Sequence, residues 1–468
     1  MPNRFFIARK PALTVCLLPI ALWAPGSQSA RRTARDSAAS PIRINGQDVS
    51  TFLTAGLGEP LQPTPKAPNR LDSPRLMALE RKVKAGNRAA IKQFWEEVQG
   101  KAPLIEPVPG DDQLRRVTFL WRGGAEASDV TLDGNFPPDS QDAPLLRLAN
   151  TDVWFLTLRL PVTSRFTYGF KQPGKRLLLD PLNPLKFRSS SFAELPAAPS
   201  QSWTIIQPDI PKGTVTPEKL RSESLKEERS ASIYTPPGYD PKSDSYGLLV
   251  LFDGQDYRGP MPIQTILDNL LAAKRIRPLV AILVDNLSEE SRDRDLECYP
   301  PFADFVAKEL IPWARQRYRF SAEPERTIVG GVSLGGLDAA YCAFRYPEVF
   351  GNVLSQSGAF GYFPGWEDPA ATDYSSSGWL IQQFVTTRKL PIRFYLEAGL
   401  FENGCPDPLL TQNRRMRDVL EAKGYSVVYS EFAGGHEFLS WRGSVADGLI
   451  ALAGRDQLSV GFSHRSLR

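Results

Sequence analysis

A largely parallel α/β sheet with helices on both faces, preceded by a small all-β sandwich of immunoglobulin-like type, is the architecture predicted by three features of the 468-residue sequence. From about Ser222 onward, apolar strand-like runs such as "YGLLVLFDG", "RPLVAILVDN" and "PIRFYLEAG" alternate with helical patterns such as "FADFVAKELIPWARQRY". That rhythm builds a parallel sheet, and runs apolar at consecutive positions are strands buried on both faces. Between about Leu114 and Phe187 the segments "RRVTFLWRG", "DVTLDG", "VWFLTLRLP" and "RFTYGFKQ" alternate and are separated by Gly, Pro, Asn and Asp, which reads as short antiparallel strands. Finally, Gly331-Val332-Ser333-Leu334-Gly335 lies between the strand-like "TIVGG" and the helical "LDAAYCAFRY". Glycines around a serine at a strand-to-helix turn suit a side chain that must stand exposed on a sharp bend.

Taken in order, the chain begins with Arg4, Arg9 and Lys10, then the apolar run "PALTVCLLPIALWA" and the small residues of "GSQSA". This reads as a secretory signal over residues 1–30, because the apolar run falls well short of the roughly 20 residues needed to span a bilayer. A periplasmic or secreted protein without a transmembrane segment in its mature chain is expected. Residues 31–70 are rich in Ser, Ala, Thr, Gly and Pro and read as a disordered linker. Residues 71–110 form a short helical segment: Leu76, Leu79, Val83, Ile91, Phe94, Trp95 and Val98 recur at helical spacing, with Ser73 and Pro74 as cap and first-turn residues and a break near Gly86. The sandwich is placed at 111–190, its aromatics (Trp121, Trp154, Tyr168, Phe170) read as core. A proline-rich linker follows at 191–221, then the α/β domain at 222–456 and a tail at 457–468.

Composition narrows the function. Basic and acidic residues number 56 and 52, giving a net charge of +4 with no long basic block, so nothing points to nucleic acid and the expected partner is a small molecule. No metal-ligand cluster, phosphate-binding glycine loop or dinucleotide fingerprint is visible, and no cofactor is expected.

A serine hydroxyl is a poor nucleophile until a base takes its proton. The chain has two histidines, and His464 lies four residues from the end, which leaves His436 in "SEFAGGHEFLSWRG", after the last strand. The order serine, acid, base is that of an α/β-hydrolase. The orienting acid should follow the preceding strand, where "LEAGLFENGCPDP" offers Glu402, with Asp407 as the alternative; Glu397 lies inside the strand, and Glu437 reads as solvated. For the oxyanion, the backbone N–H of Leu334 is one donor, and the turn after "LLVLFDGQDY" supplies another near Gly254 and Gln255. The side chains of Asp253 and Gln255 are alternatively only the material of that turn. Removal of the signal leaves Cys298, Cys342 and Cys405. Cys298 and Cys405 both follow strand ends on the active-site edge, so a disulfide between them is expected in an oxidising compartment, with Cys342 a buried helix thiol.

With these residues in view, the chain resembles the enterochelin esterase family, hydrolases of ferric catecholate siderophore lactones. "SESLKEERSASIY", "LFDGQ", "RDRDLECYPPFADFVAKELIPW", "GGVSLGGLDAAY", "VLSQSG", "LEAGLFEN" and "GGHEFLSWRG" carry the likeness in order, and "DPLNP" at Asp180 to Pro184 extends it into the sandwich. The resemblance implies Ser333 as nucleophile, His436 as base and Glu402 as acid, with Arg292 and Arg294 beside the site as substrate contacts. It implies a small ester substrate of the ferric catecholate siderophore class, cleaved through an acyl-enzyme. Similar chains include feruloyl and acetyl esterases of carbohydrates with a sugar-binding N-terminal module, and a non-catalytic ligand-binding protein on a hydrolase scaffold is the alternative of another class. The sandwich is expected to shape the mouth of the site for bulky substrates, so that the α/β domain alone would still cleave small esters.

Overall fold

The computed structural model describes residues 43–44, 47–48, 71–124, 127, 129–137, 142–366, 378–404 and 408–455. The signal segment, nearly all of the linker before residue 71, Cys405, Asp407 and the tail lie outside the described residues. Arg43–Ile44 pairs antiparallel with Gln47–Asp48.

Next in the chain come the helices Pro74–Lys84 and Ala89–Val98. Ser73 Oγ caps the first by accepting the N–H of Leu76 and donates to Glu106 at 2.6 Å. Gly86, at φ 84°, takes the left-handed turn between the helices. Their apolar stripe of Leu76, Leu79, Phe94, Trp95 and Val98 packs on Leu104, Leu120, Val153 and Phe155 of a four-stranded antiparallel sheet, covering its outer face. The inner face of that sheet meets a second antiparallel sheet of five strands across a core of Val117, Phe119, Trp154, Leu156, Phe166, Tyr168 and Phe170. Both layers follow from period-two alternation: along Asp111–Arg122, Phe119 points to one core and Leu120 to the other. Trp121 and Phe170 lie 5.0 Å apart, and Phe119 and Tyr168 4.8 Å, so these aromatics are packed on one another as the sandwich core. The "DPLNP" segment closes it from inside: Tyr168 Oη donates to Asp180 at 2.7 Å, and Asn183 Nδ2 donates to the same phenol oxygen.

The large sheet has eight strands: β1 (Thr214–Arg221), β2 (Glu228–Thr235), β3 (Gly247–Leu251), β4 (Leu279–Val284), β5 (Thr327–Val332), β6 (Asn352–Gln356), β7 (Arg393–Gly399) and β8 (Ser426–Phe432). Their order is β1-β2-β4-β3-β5-β6-β7-β8, parallel from β4 to β8 and antiparallel at β1 and β2. Alternate residues feed two cores. Leu248, Val250, Val280 and Ile282 face one, while Leu249, Leu251, Ala281 and Leu283 face the other. Helix Leu334–Arg345 packs in the first core, and helices Ile263–Ala272 and Phe438–Ala453 pack in the second. Seven of the eight strands follow from apolar runs. The eighth, β1, lies in the segment read as linker, because "TVTPEKLR" is a half-exposed edge strand whose polar face and Pro217 hide its register. Ser190–Glu194, whose last four residues lie in the same segment, pairs with the sandwich strand Arg165–Lys171.

Parallel strands send their carboxyl ends to one edge, and the loops after β3, β4, β5, β7 and β8 emerge there. Those loops carry Gly254, Arg292, Ser333, Glu402 and His436.

Candidate active site

Ser333 stands between β5 and helix Leu334–Arg345 at φ 58° and ψ −122°, a strained conformation for a residue with a side chain. The turn closes so tightly that a Cβ on Gly331 would lie 2.6 Å from the carbonyl carbon of Gly335. A Cβ on Gly336 would lie 2.6 Å from Ser355 Oγ. The glycines are therefore required by close approach, while the serine itself takes the strain. Ser333 N–H donates to Gln356 O at 3.0 Å, and Ser333 O accepts from Gly336, Leu337 and Ala359, which fixes the bend from both sides.

His436 Nε2 lies 2.9 Å from Ser333 Oγ, and its Nδ1 lies 3.1 Å from Glu402 Oε1. Glu402 is only 6% exposed, and its second oxygen accepts the N–H of Gly399 at 3.0 Å, which leaves Oε1 aimed at the ring. The imidazole side chain keeps 24% exposure, enough for substrate and water to reach it. Its edge contact with Trp441, centroids 4.7 Å apart at 90°, sets the ring plane, and Trp441 Nε1–H is itself held by Ser357 Oγ at 2.9 Å. The loops that carry Glu402 and His436 interlock: Phe401 N–H donates to Gly434 O, Leu400 N–H donates to Phe432 O, and a Cβ on Gly399 would collide with Gly434 O at 2.4 Å. Ser333, His436 and Glu402 thus come together as the sequence places them, and Asp407 lies outside the described residues.

Leu334 is the first residue of its helix, so its N–H belongs to the turn whose donors have no carbonyl behind them. Beside it, Asp253 at φ 59° opens the helical turn Gly254–Arg258, and the first N–H groups to close back on Asp253 O are those of Asp256 and Tyr257. The N–H groups of Gly254 and Gln255 precede them. The side chains of Asp253 and Gln255 build this turn: Gln255 Oε1 accepts from Asn286 N–H at 3.2 Å, and Asp253 accepts from Asn286 Nδ2. The two turns nearly touch, since a Cβ on Gly335 would lie 3.2 Å from Asp253 Oδ2.

Arg292 corrects the reading as a substrate contact. Its side chain is 12% exposed, and its Nε and one Nη donate to the two oxygens of buried Asp253 at 2.6 and 2.9 Å. Two parallel charge-assisted bonds commit the guanidinium to the turn under Gly254. Arg294, 41% exposed, is engaged by Asp295 at 2.6 Å and Glu227 at 2.9 Å, pairing that local sequence does not reveal. An exposed cation close to the His436 loop is Arg188, from the turn after Phe187 in the sandwich. Exposed and at φ 55°, it sits over the Phe438 ring at 5.4 Å, two residues from His436.

Two further expectations change. Glu437 is 7% exposed and accepts the N–H of Thr167 from the sandwich at 3.0 and 3.2 Å, so it is not solvated. Burial pushes its carboxyl up to about 8. Cys298 is a free buried thiol within the hydrophobic core that also holds Cys342, and burial pushes both thiols up. The disulfide expected from Cys298 is therefore absent at that residue. Among the described residues no group of three or more metal-ligating side chains converges, and no helix is long and apolar enough to cross a membrane.

A family model described as "Enterochelin esterase, N-terminal" matches residues 116–181, and one described as "Putative esterase" matches residues 222–452. The iron(III) enterobactin esterase of Escherichia coli O6:H1 is 32% identical over 387 residues, covering 73% of this chain and 92% of that protein. The chain belongs to the enterochelin esterase family. It is an ester hydrolase. The iron(III) salmochelin esterase of the same strain is 28% identical, covering 81% of this chain and 98% of that protein. Among solved structures, the ferric enterobactin esterase of Salmonella typhimurium superposes with a TM-score of 0.63 at 27% identity, covering 77% of this chain and 98% of that one. For a member of this family the α/β-hydrolase architecture of the large sheet is the expected frame.

Proposed function

We propose that this member of the family hydrolyses an ester or lactone bond of a siderophore-type substrate through an acyl-enzyme, with Ser333 as nucleophile, His436 as base and Glu402 as orienting acid. The observation that carries the reading is the unbroken line of contacts from Ser333 Oγ through the imidazole to Glu402, 2.9 and 3.1 Å long. His436 Nε2 takes the hydroxyl proton as Oγ attacks the ester carbon. The carbonyl oxygen becomes an oxyanion facing the N–H of Leu334 and the turn at Gly254 and Gln255. On collapse the C–O bond to the alcohol breaks, and the imidazolium returns its proton to the departing alkoxide. Water then repeats the sequence on the acyl-Ser333 ester, releasing the acid. Glu402 stays ionised throughout, holding the Nδ1–H tautomer and stabilising the transient cation.

The substrate class rests on the relatives named for iron(III) enterobactin and iron(III) salmochelin, which span both domains of this chain. Arg188, exposed over the Phe438 ring beside the His436 loop, suits an anionic ester. The N-terminal sandwich is read as immunoglobulin-like, and export to the periplasm or beyond is proposed from Arg4, Arg9, Lys10 and the apolar run after them. The test is a comparison of kcat/KM for ferric enterobactin, its linear serine esters and a feruloylated arabinose. Preference for the first two by tenfold or more is expected, and preference for the feruloyl sugar overturns the substrate assignment.

A further inference from the structure

The strand Arg165–Lys171 of the sandwich pairs on one side with Ser190–Glu194 and on the other with Thr131–Gly134, but the second partner ends at Gly134. Beyond it, the same strand edge is completed by the α/β domain. Arg165 N–H donates to Ala433 O at 3.0 Å, and Thr167 N–H donates to both oxygens of Glu437. Asn135 folds into the joint: its N–H donates to Thr167 O, its Nδ2 donates to Thr167 Oγ1, and a Cβ on Gly435 would strike its Cβ at 2.9 Å. The loop on either side of His436 is thus docked like a short strand on the sandwich. The acid loop is held as well, since Phe401, next to Glu402, and Ala433 are buried in the sandwich core.

We infer that Glu437 is a positioning residue that ties the His436 loop to the sandwich, making the sandwich part of the scaffold that aims the base. The physical reason is reciprocal need. Without the loop, two strand N–H groups lose their acceptors; without the strand, a buried carboxyl loses its donor. This replaces the expectation that the α/β domain alone would keep activity on small esters.

The inference rests on reading His436 as the base, and its test separates the two. In the full chain, Glu437→Gln retains an acceptor for Thr167 N–H, whereas Glu437→Leu does not. With p-nitrophenyl acetate, the Leu variant is expected to lose tenfold or more in kcat at nearly constant KM, and the Gln variant to stay within about threefold of wild type. The His436 ring is read independently by NMR, since His464 is the sole other histidine. Its Nδ1–H resonance is expected to broaden or vanish in the Leu variant and to persist in the Gln variant. An unchanged resonance in the Leu variant, or equal kcat losses in both, overturns the inference. If Glu437→Leu does not fold, Asn135→Ala weakens the joint from the sandwich side; a several-fold fall in kcat with the same broadening supports the inference, and wild-type behaviour overturns it. An inactive wild type with an intact ring signal would count against the catalytic reading and leave the joint to be judged by NMR alone.

Discussion

Arg292 grips Asp253 from below, its Nε and one Nη 2.6 and 2.9 Å from the two carboxylate oxygens, and so fixes the left-handed residue from which Gly254 and Gln255 emerge. This pair makes Arg292 a builder of the turn proposed to face the oxyanion. Arg292→Met should therefore lower kcat by about 10–100-fold on neutral and anionic esters alike, since losing one oxyanion donor costs roughly that much or more. It also leaves a buried carboxylate unpaired, and Asp253→Asn in the same chain should recover part of the lost thermal stability. Steady-state kinetics decide it: a loss confined to KM for anionic esters would show that Arg292 binds substrate instead.

Charge selection should belong to Arg188. In Arg188→Gln the ratio of kcat/KM for an anionic ester, such as p-nitrophenyl hemisuccinate, to that for p-nitrophenyl acetate should fall about tenfold, with Arg188→Lys intermediate. A ratio unchanged from wild type contradicts the role.

Glu402 is expected to be the acid. Glu402→Gln leaves the shape of the buried site intact but removes the charge beside Nδ1, and kcat should fall by about 10³–10⁴. Asp407→Asn should stay within about threefold. Turnover of both variants checks the assignment, and the reverse pattern would move the role to Asp407.

Stability should depend on pH through Glu437. Its folded carboxyl titrates near 8, above its ordinary 4.5, so the folded chain holds the proton more tightly than the unfolded chain does. The contribution is complete below about pH 4.5 and is lost as pH rises through about 8. Glu402 and Arg442 act on the group electrostatically, and Asn135 and Thr167 bond it. Thermal unfolding from pH 5 to pH 8 should show wild-type Tm declining more steeply than that of Glu437→Gln, by ~2 °C or more. Parallel curves would mean that Glu437 ionises normally.

What the sequence reveals depends on how local the cause is. Ser333 and His436 are legible because spacing, strand context and the scarcity of histidine converge on them, and Glu402 because the acid must follow β7. The strands buried on both faces announce themselves as apolar runs; β1, polar on one side, does not. Arg292 and Glu437 are read differently in the sequence for one reason: each is defined by a partner far away in the chain, Asp253 and Thr167, so that Arg292 reads as a free substrate contact and Glu437 as solvated. Cys298 follows a strand as expected, yet its side chain turns into the core between helices, a direction no spacing reveals.

Ser333 is proposed to be acylated in the course of ester hydrolysis. Intact-mass spectrometry of the protein quenched during turnover of a catechoyl-serine ester, followed by peptide mapping, tests it most directly. A transient acyl adduct is expected on the peptide that contains Ser333, enriched in slow-turnover variants such as Glu402→Gln and absent, together with activity, in Ser333→Ala. Undiminished hydrolysis by Ser333→Ala, or an adduct mapped to another residue, would contradict it.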